Sequence, residues 1–233
     1  MSNSFDEHAS LYDAWFMENS NVLLSEVRLV ARTLAGAKKI LSVGWGSGLF
    51  EKFLAEDFGI KITDGIEPAT GMAEIARKRG MNVVIATAEE ADFGDGKYDT
   101  ILFNGSPSYI SDLKPVVEKA YHSLAPGGRL ILIDVPKESG YGTMYNLAKA
   151  VGSWDHPLLQ GVYPSSPYPI ELVSAANWRT TAEKTRVMED AGFKDLEYFQ
   201  TLTTHPLVSN SVAEEPSAGS DRGDYVAVIG YKH

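Results

Sequence analysis

The chain has 233 residues, 44% hydrophobic and 22% charged, with a formal net charge of −10 and no cysteine. That length buries one good core and is short for two, and the composition is that of a soluble globule. The acidic balance, with no basic stripe, argues against a nucleic-acid partner, and the missing thiols exclude disulfides, thiolate metal sites and cysteine nucleophiles.

In chain order, Val22, Leu23, Val27, Val30, Ala31 and Leu34 recur at helical spacing, so the pattern predicts a helix from about Val22 to Ala35. The apolar run Ile40–Val43 predicts a first strand, ending at the glycine-rich stretch SVGWGSG of residues 42–48. LFEKFLAEDFG is amphipathic and stops at Gly59, KITDGIEP holds a second strand, and ATGMAEIARKRG is a helix closed by Gly80. MNVVIATA and YDTILFN read as third and fourth strands. LKPVVEKAYHSLAPGG reads as a helix with Pro115 in its first turn and a Pro-Gly-Gly stop, and RLILIDV as a fifth strand apolar on both faces. Strands alternating with helices imply a buried parallel sheet.

After Pro136 the pattern changes. GYGTMYNLAKAVGSW has helical character, and QGVYPSSPYPIEL is rich in proline and aromatics. Thr180 and Glu183 form a capping box opening a helix that ends at Gly192. FKDLEYFQTL and DYVAVIGYK are two late strands which, having no helix between them, are expected to pair antiparallel at one edge. The expected architecture is a doubly wound, Rossmann-like α/β fold. Its seven-stranded sheet is mostly parallel with an antiparallel last strand. One domain covers 1–233: cover helices at 1–36, a cofactor-binding core at 37–136, a helical and aromatic lid at 137–179, and closing helix and strands at 180–233.

In an open parallel sheet, ligands bind beyond the carboxyl ends of the strands where strand order reverses. Gly44, Gly46 and Gly48 run G-x-G-x-G, and Leu49 stands where a dinucleotide fold has its third glycine. There is no G-K-[ST], so a Walker loop is excluded. Glu67, ending the second strand, can accept both hydroxyls of a ribose. TAEEADF follows the third strand and NGS the fourth.

This ordered set resembles the class I S-adenosylmethionine-dependent methyltransferases, over about Lys39 to Asp134. FDEHASLYDAWF at the start and NWRTTAEKTRVMEDAGFKDLEYFQTL near the end are similar to the small-molecule (type 11 methyltransferase) branch. The resemblance implies S-adenosylmethionine as cofactor, S-adenosylhomocysteine as product and a small-molecule acceptor. It places Gly44, Gly46 and Gly48 beneath the methionine and ribose, and Glu67 on the ribose diol. Pro68 and Met72 would flank the adenine, and Ala88, through its N–H, and Glu89 would meet its edge. Asn104, through its carbonyl, and Gly105 would lie near the methionine amino end. Tyr12, Trp15 and Phe16 would form the cover. Two positions depart from the family pattern: Ser42 stands where an acid is usual two residues before the first glycine, and Thr87 stands for the usual adenine-binding Asp.

Methyl transfer needs alignment more than a base, so the absence of a triad-like motif is no obstacle. Base candidates are His156 in SWDHP and His205 in TTHPL, since a neutral imidazole can take a proton, although both also suit turns. Tyr109, just past the fourth strand, is a candidate acceptor contact, and His8 could help close the cover. Tyr141, Tyr145, Trp154, Tyr163, Tyr168 and Trp178 give the lid aromatic walls, suited to an apolar, aromatic or cationic acceptor. No metal motif is present. The start MSNSFDEHAS lacks a signal-peptide pattern and no apolar run nears the roughly 20 residues of a span, so a cytoplasmic protein without a membrane partner is expected. A monomer and a homodimer both stay open, as does the acceptor atom. Two other functions compete: a nicotinamide-dependent reductase, and a non-catalytic module binding S-adenosylmethionine or S-adenosylhomocysteine.

Overall fold

The apolar runs become strands in the order the sequence implies. The computed structural model describes residues 2–233, apart from the side chains of 2–4 and 6–8, so the His8 side chain lies outside the described residues. Two helices, α1 (Ser2–Glu18) and α2 (Ser20–Thr33), precede strand β1 (Ile40–Val43). The core continues as α3 (Leu49–Phe58), β2 (Asp64–Ile66), α4 (Thr70–Lys78), β3 (Asn82–Val84), β4 (Tyr98–Asn104), α5 (Leu113–Ser123) and β5 (Leu124–Asp134). The lid holds α6 (Gly140–Val151) and α7 (Ile170–Ala175), and α8 (Thr181–Ala191), β6 (Lys194–Thr201), β7 (Ser217–Ala218) and β8 (Tyr225–Tyr231) close the chain.

The sheet order is β3-β2-β1-β4-β5-β8-β6-β7. β1 through β5 pair in parallel, and β8 runs antiparallel to both β5 and β6. The sheet thus has eight strands, one more than the sequence predicts, the extra one being the two-residue β7 paired to β6. The two late strands pair antiparallel at one side of the sheet, as expected, with β8 slotted between β5 and β6. Tyr225–Ile229 are all buried, and with a strand on each side the backbone N–H and C=O groups of β8 can be paired along both edges. A second difference concerns LAPGG. Rather than ending α5 it begins β5, with a register shift between the Tyr98–Leu124 and Thr100–Arg129 pairings. α8 opens with the expected capping box, the Thr180 hydroxyl accepting from the Glu183 N–H while the Glu183 carboxylate accepts from the Thr180 N–H.

Strand order reverses between β1 and β4, so the loops after these two strands flank one crevice. The Ser106 hydroxyl donates to the Val43 carbonyl at 2.7 Å, drawing the loop after β4 against the glycine turn. Trp45 is tucked beneath that turn. Its ring fills the space above Gly65, where a Cβ would fall 1.2 Å from it, and its N–H points at the Met81 sulfur.

The late loop between β6 and β8 clamps α2. The Asn210 amide oxygen accepts from the Asn21 and Val22 N–H groups, and the Ser25 hydroxyl accepts from the Glu214 N–H. Arg28 reaches the Ala213 carbonyl. The lid is pinned at its far end by Arg179, which donates to the carbonyls of Pro107, Ile110 and Ser111. Among the described residues, no helix is long and apolar enough to cross a membrane.

Candidate active site

A cavity of about 530 Å³ lies over the carboxyl ends of β1, β2, β4 and β5. Its volume falls in the usual range for small-molecule sites, roughly 300–1,000 Å³. At one end Glu67, only 6% exposed, turns its carboxylate between two backbone amides. One oxygen accepts from the Gly46 N–H at 2.7 Å and the other from the Ala69 N–H at 2.8 Å. Gly44, Gly46, Pro68, Met72, Thr87, Ala88 and Glu89 line the same end. The two glycines differ in what surrounds them. A Cβ on Gly44 would strike the Ser106 Cβ at 2.3 Å, whereas the Cβ position on Gly46, with φ +64°, has nothing within 4 Å. Gly44 is therefore needed for packing, and Gly46 opens onto the cavity.

The turn after β3 is held from outside. Lys119 of α5 donates to the carbonyls of Ala88, Glu89 and Ala91. Thr87 faces the cavity, and its hydroxyl engages the Glu90 N–H and carboxylate. Asn104 and Gly105 also line the cavity, and the Asn104 side-chain oxygen accepts from the Tyr225 hydroxyl at 2.8 Å.

Ser42 and Gly48 are not brought to the cavity wall. The Ser42 hydroxyl donates to Glu51 of α3 at 3.1 Å, so a buried carboxylate lies beneath the glycine turn even though position 42 lacks one. Burial raises Glu51 to about 7, against the Ser42 hydrogen bond and the Arg79 charge that favour ionisation. Gly48 precedes α3 in left-handed backbone, and a Cβ there would strike the Met81 sulfur.

Tyr12, Trp15 and Phe16 of α1 cover the cavity. Phe16 packs edge-on to Tyr12, Trp15 and Phe50, and the Trp15 N–H donates to the Ser166 carbonyl of the lid. α1 is also tied to the glycine turn: Asp13 receives the Ser47 hydroxyl and pairs with Arg79 at 2.6 Å, while Arg79 donates to the Ser47 carbonyl. Of the six lid aromatics, Tyr145, Tyr168 and Trp178 line the cavity. The other three pack elsewhere, Tyr141 bonding Ser209 and Trp154 the Tyr168 carbonyl, with Tyr163 against Trp154.

Tyr109 lines the cavity and donates to the Leu172 carbonyl at 3.3 Å. Burial pushes its phenol well up, so near neutrality it keeps its proton and is suited to donate, not to act as base. His156 and His205 stand outside the cavity wall. Each begins a His-Pro-Leu turn in which its Nδ1 accepts a backbone N–H two residues on, from Leu158 and Leu207 respectively. A local turn is thus what those sequences encode.

The wall residues that escaped the sequence reading include Glu26, Asp134 and Tyr225. Signals for the two acids were present. Glu26 interrupts the apolar face of α2 between Leu23 and Val30, and Asp134 is an acid ending an otherwise apolar central strand. Among the described residues no group of three His, Asp or Glu side chains is disposed to hold a metal ion.

The methyltransferase domain family matches residues 17–198, and the chain belongs to it. A Thermotoga maritima crystal structure, described as a "SAM-dependent methyltransferase, possible histamine N-methyltransferase", superposes with a TM-score of 0.83 at 29% identity, covering 100% of both chains. A protein of Methanocaldococcus jannaschii with no assigned function is 29% identical over 99% of each chain. The demethylmenaquinone methyltransferase of Chlorobaculum tepidum is 27% identical, across 84% of this chain and 85% of its own. The protein is a class I S-adenosylmethionine-dependent methyltransferase, which sets aside the reductase and the non-catalytic module.

Proposed function

We propose that the acceptor is a small molecule, methylated inside the cavity beneath α1 and the lid. One observation carries this reading: a single wall is continuous from Gly46 and Glu67, through Asn104 and Tyr109, to Tyr145, Tyr168 and Trp178. The cofactor end and the lid end therefore share one chamber, closed over by the Trp15–Ser166 bond between α1 and the lid. A macromolecular acceptor would need that roof open.

When bound, S-adenosylmethionine supplies a methyl group made electrophilic by sulfonium sulfur. Glu67 would accept the ribose hydroxyls, and the Gly46 backbone would lie against the sugar. The turn gathered by Lys119 would offer the Ala88 N–H to the adenine edge, with Glu89 beside it. Pro68 and Met72 would flank the ring, Thr87 would border it, and Asn104 and Gly105 would receive the methionine amino end. Ser42 would act from below through Glu51, and Gly48 by shaping the turn. Tyr12, Trp15 and Phe16 exclude water. The residues at the lid end hold the acceptor in line, and such orientation can supply roughly 7–11 kcal/mol of rate enhancement. An acceptor whose lone pair is already free needs no base.

The test is to incubate the protein with methyl-labelled S-adenosylmethionine and a metabolite extract, then separate small molecules from macromolecules. Label should appear in the small-molecule fraction. Label carried only by protein or RNA refutes the reading.

A further inference from the structure

The charged side chains lining the cavity are all carboxylates: Glu67, Glu89 and Glu90 at the nucleoside end, and Glu26 and Asp134 at the lid end. Among the described residues, no Lys, Arg or His lines it. A phosphate or carboxylate acceptor would have nothing to pair with there and much to repel it.

Glu26 is the unusual one. It is 7% exposed and lines the cavity, yet no hydrogen bond to its carboxylate is found among the described residues, while Asp13, Glu51, Glu67 and Asp224 all have such partners. It lies close enough to Tyr12, Tyr145 and Tyr225 for its charge to act on each. Asp134, 3% exposed, accepts from the Val135 N–H at 2.8 Å and the Ser108 hydroxyl at 3.4 Å, and its charge acts on Glu26 and Tyr225. Lys184 is buried but does not line the cavity. It offsets Asp134 in part but is not among the charges acting on Glu26. Two carboxylates facing one chamber, one without a hydrogen-bond partner among the described residues, form a costly arrangement unless something cationic completes it. Aromatic faces from Tyr109, Tyr145, Tyr168 and Trp178 surround the same volume and attract cations through their quadrupoles.

We propose that the methyl acceptor carries an ammonium group, seated against Glu26 with Asp134 as second acid, at the end of the cavity away from Glu67. This rests on the reading that a small molecule enters beneath the lid. Burial supports it: Glu26 and Asp134 are both pushed up, so an arriving cation restores their charge and is recognised for doing so.

The test uses the full chain saturated with S-adenosylhomocysteine and three probes of similar shape: phenethylamine, phenethyl alcohol and hydrocinnamate. Binding is read from the fluorescence of Trp15 and Trp178, which line the cavity. The amine should bind at least ten-fold more tightly than the alcohol, and the acid least. Glu26→Gln should erase that order while leaving the affinity for S-adenosylhomocysteine within two-fold. Asp134→Asn should weaken the preference in the same direction. A flat or reversed order in the unmodified protein, or no binding of the amine at millimolar concentration, overturns the proposal whatever the variants do. So does a ten-fold loss of S-adenosylhomocysteine affinity in Glu26→Gln, which would assign that acid to the cofactor's own amino group. Label found on macromolecules, with the amine preference intact, would sink the small-molecule reading but not the cation site.

Discussion

Glu67→Gln tests the cofactor site most directly. The carboxylate is buried and gives one oxygen to the Gly46 N–H and the other to the Ala69 N–H. A carboxylate has about four lone-pair positions, so two backbone amides do not exhaust it as an acceptor. Glutamine keeps the shape but removes the charge, and it must turn an NH2 toward either Gly46 or Ala69, donor against donor. One of the two charge-assisted bonds is then lost, worth about 1.5–3 kcal/mol, and melting should fall accordingly. A ribose diol held by the same oxygens loses a contact of similar size, so affinity for S-adenosylhomocysteine should drop roughly 10- to 100-fold. Calorimetric titration of the folded variant measures this. An analogue lacking the ribose hydroxyls should bind variant and parent nearly alike, because the missing interaction is then absent from both. If the two affinities for S-adenosylhomocysteine agree within two-fold, or if the analogue loses as much as the parent ligand, Glu67 does not hold the ribose.

Gly46→Ala should fold, at a cost of about 1–2 kcal/mol for left-handed backbone, because a Cβ there meets no protein atom; S-adenosylhomocysteine affinity should fall far more than stability, and equal losses would deny that the space is the ligand's. Asp13→Asn removes the 2.6 Å pair with Arg79 that ties α1 to the glycine turn. Release of S-adenosylhomocysteine, followed by stopped-flow fluorescence, should then quicken several-fold, and an unchanged rate would mean that α1 does not gate the site. Glu51 is held at about 7 by burial, so between its unfolded value and 7 the folded chain keeps a proton the unfolded chain has released, and stability falls as pH rises through that window. The full effect is roughly 3 kcal/mol. Glu51→Gln should remove that slope, gaining on the parent at about pH 8 relative to about pH 5; parallel melting curves for the two proteins would contradict it.

What the sequence determined by itself is what local chemistry encodes. Each βα unit is contiguous, so apolar period, turn glycine and capping residue stand close together in the chain. Hence the glycine turn, Glu67, the turn at Thr87–Glu89 and the capping box at Thr180 were all legible. The two His-Pro-Leu turns were equally local and the proline marked them, but the same histidines also read as bases, and the fold leaves both outside the cavity wall. Tertiary structure alone decided the rest. The place of β8 between β5 and β6 is set by pairing with strands far from it in the chain, which no window of sequence displays. Glu26, Asp134 and Tyr225 come from a helix before the sheet, a strand in its middle and the last strand of the chain. They share a wall only because the doubly wound sheet and the clamp of the late loop on α2 carry them to the same end of the crevice. Charge burial depends on everything packed around a group, and that is a property of the folded chain, not of any stretch of it.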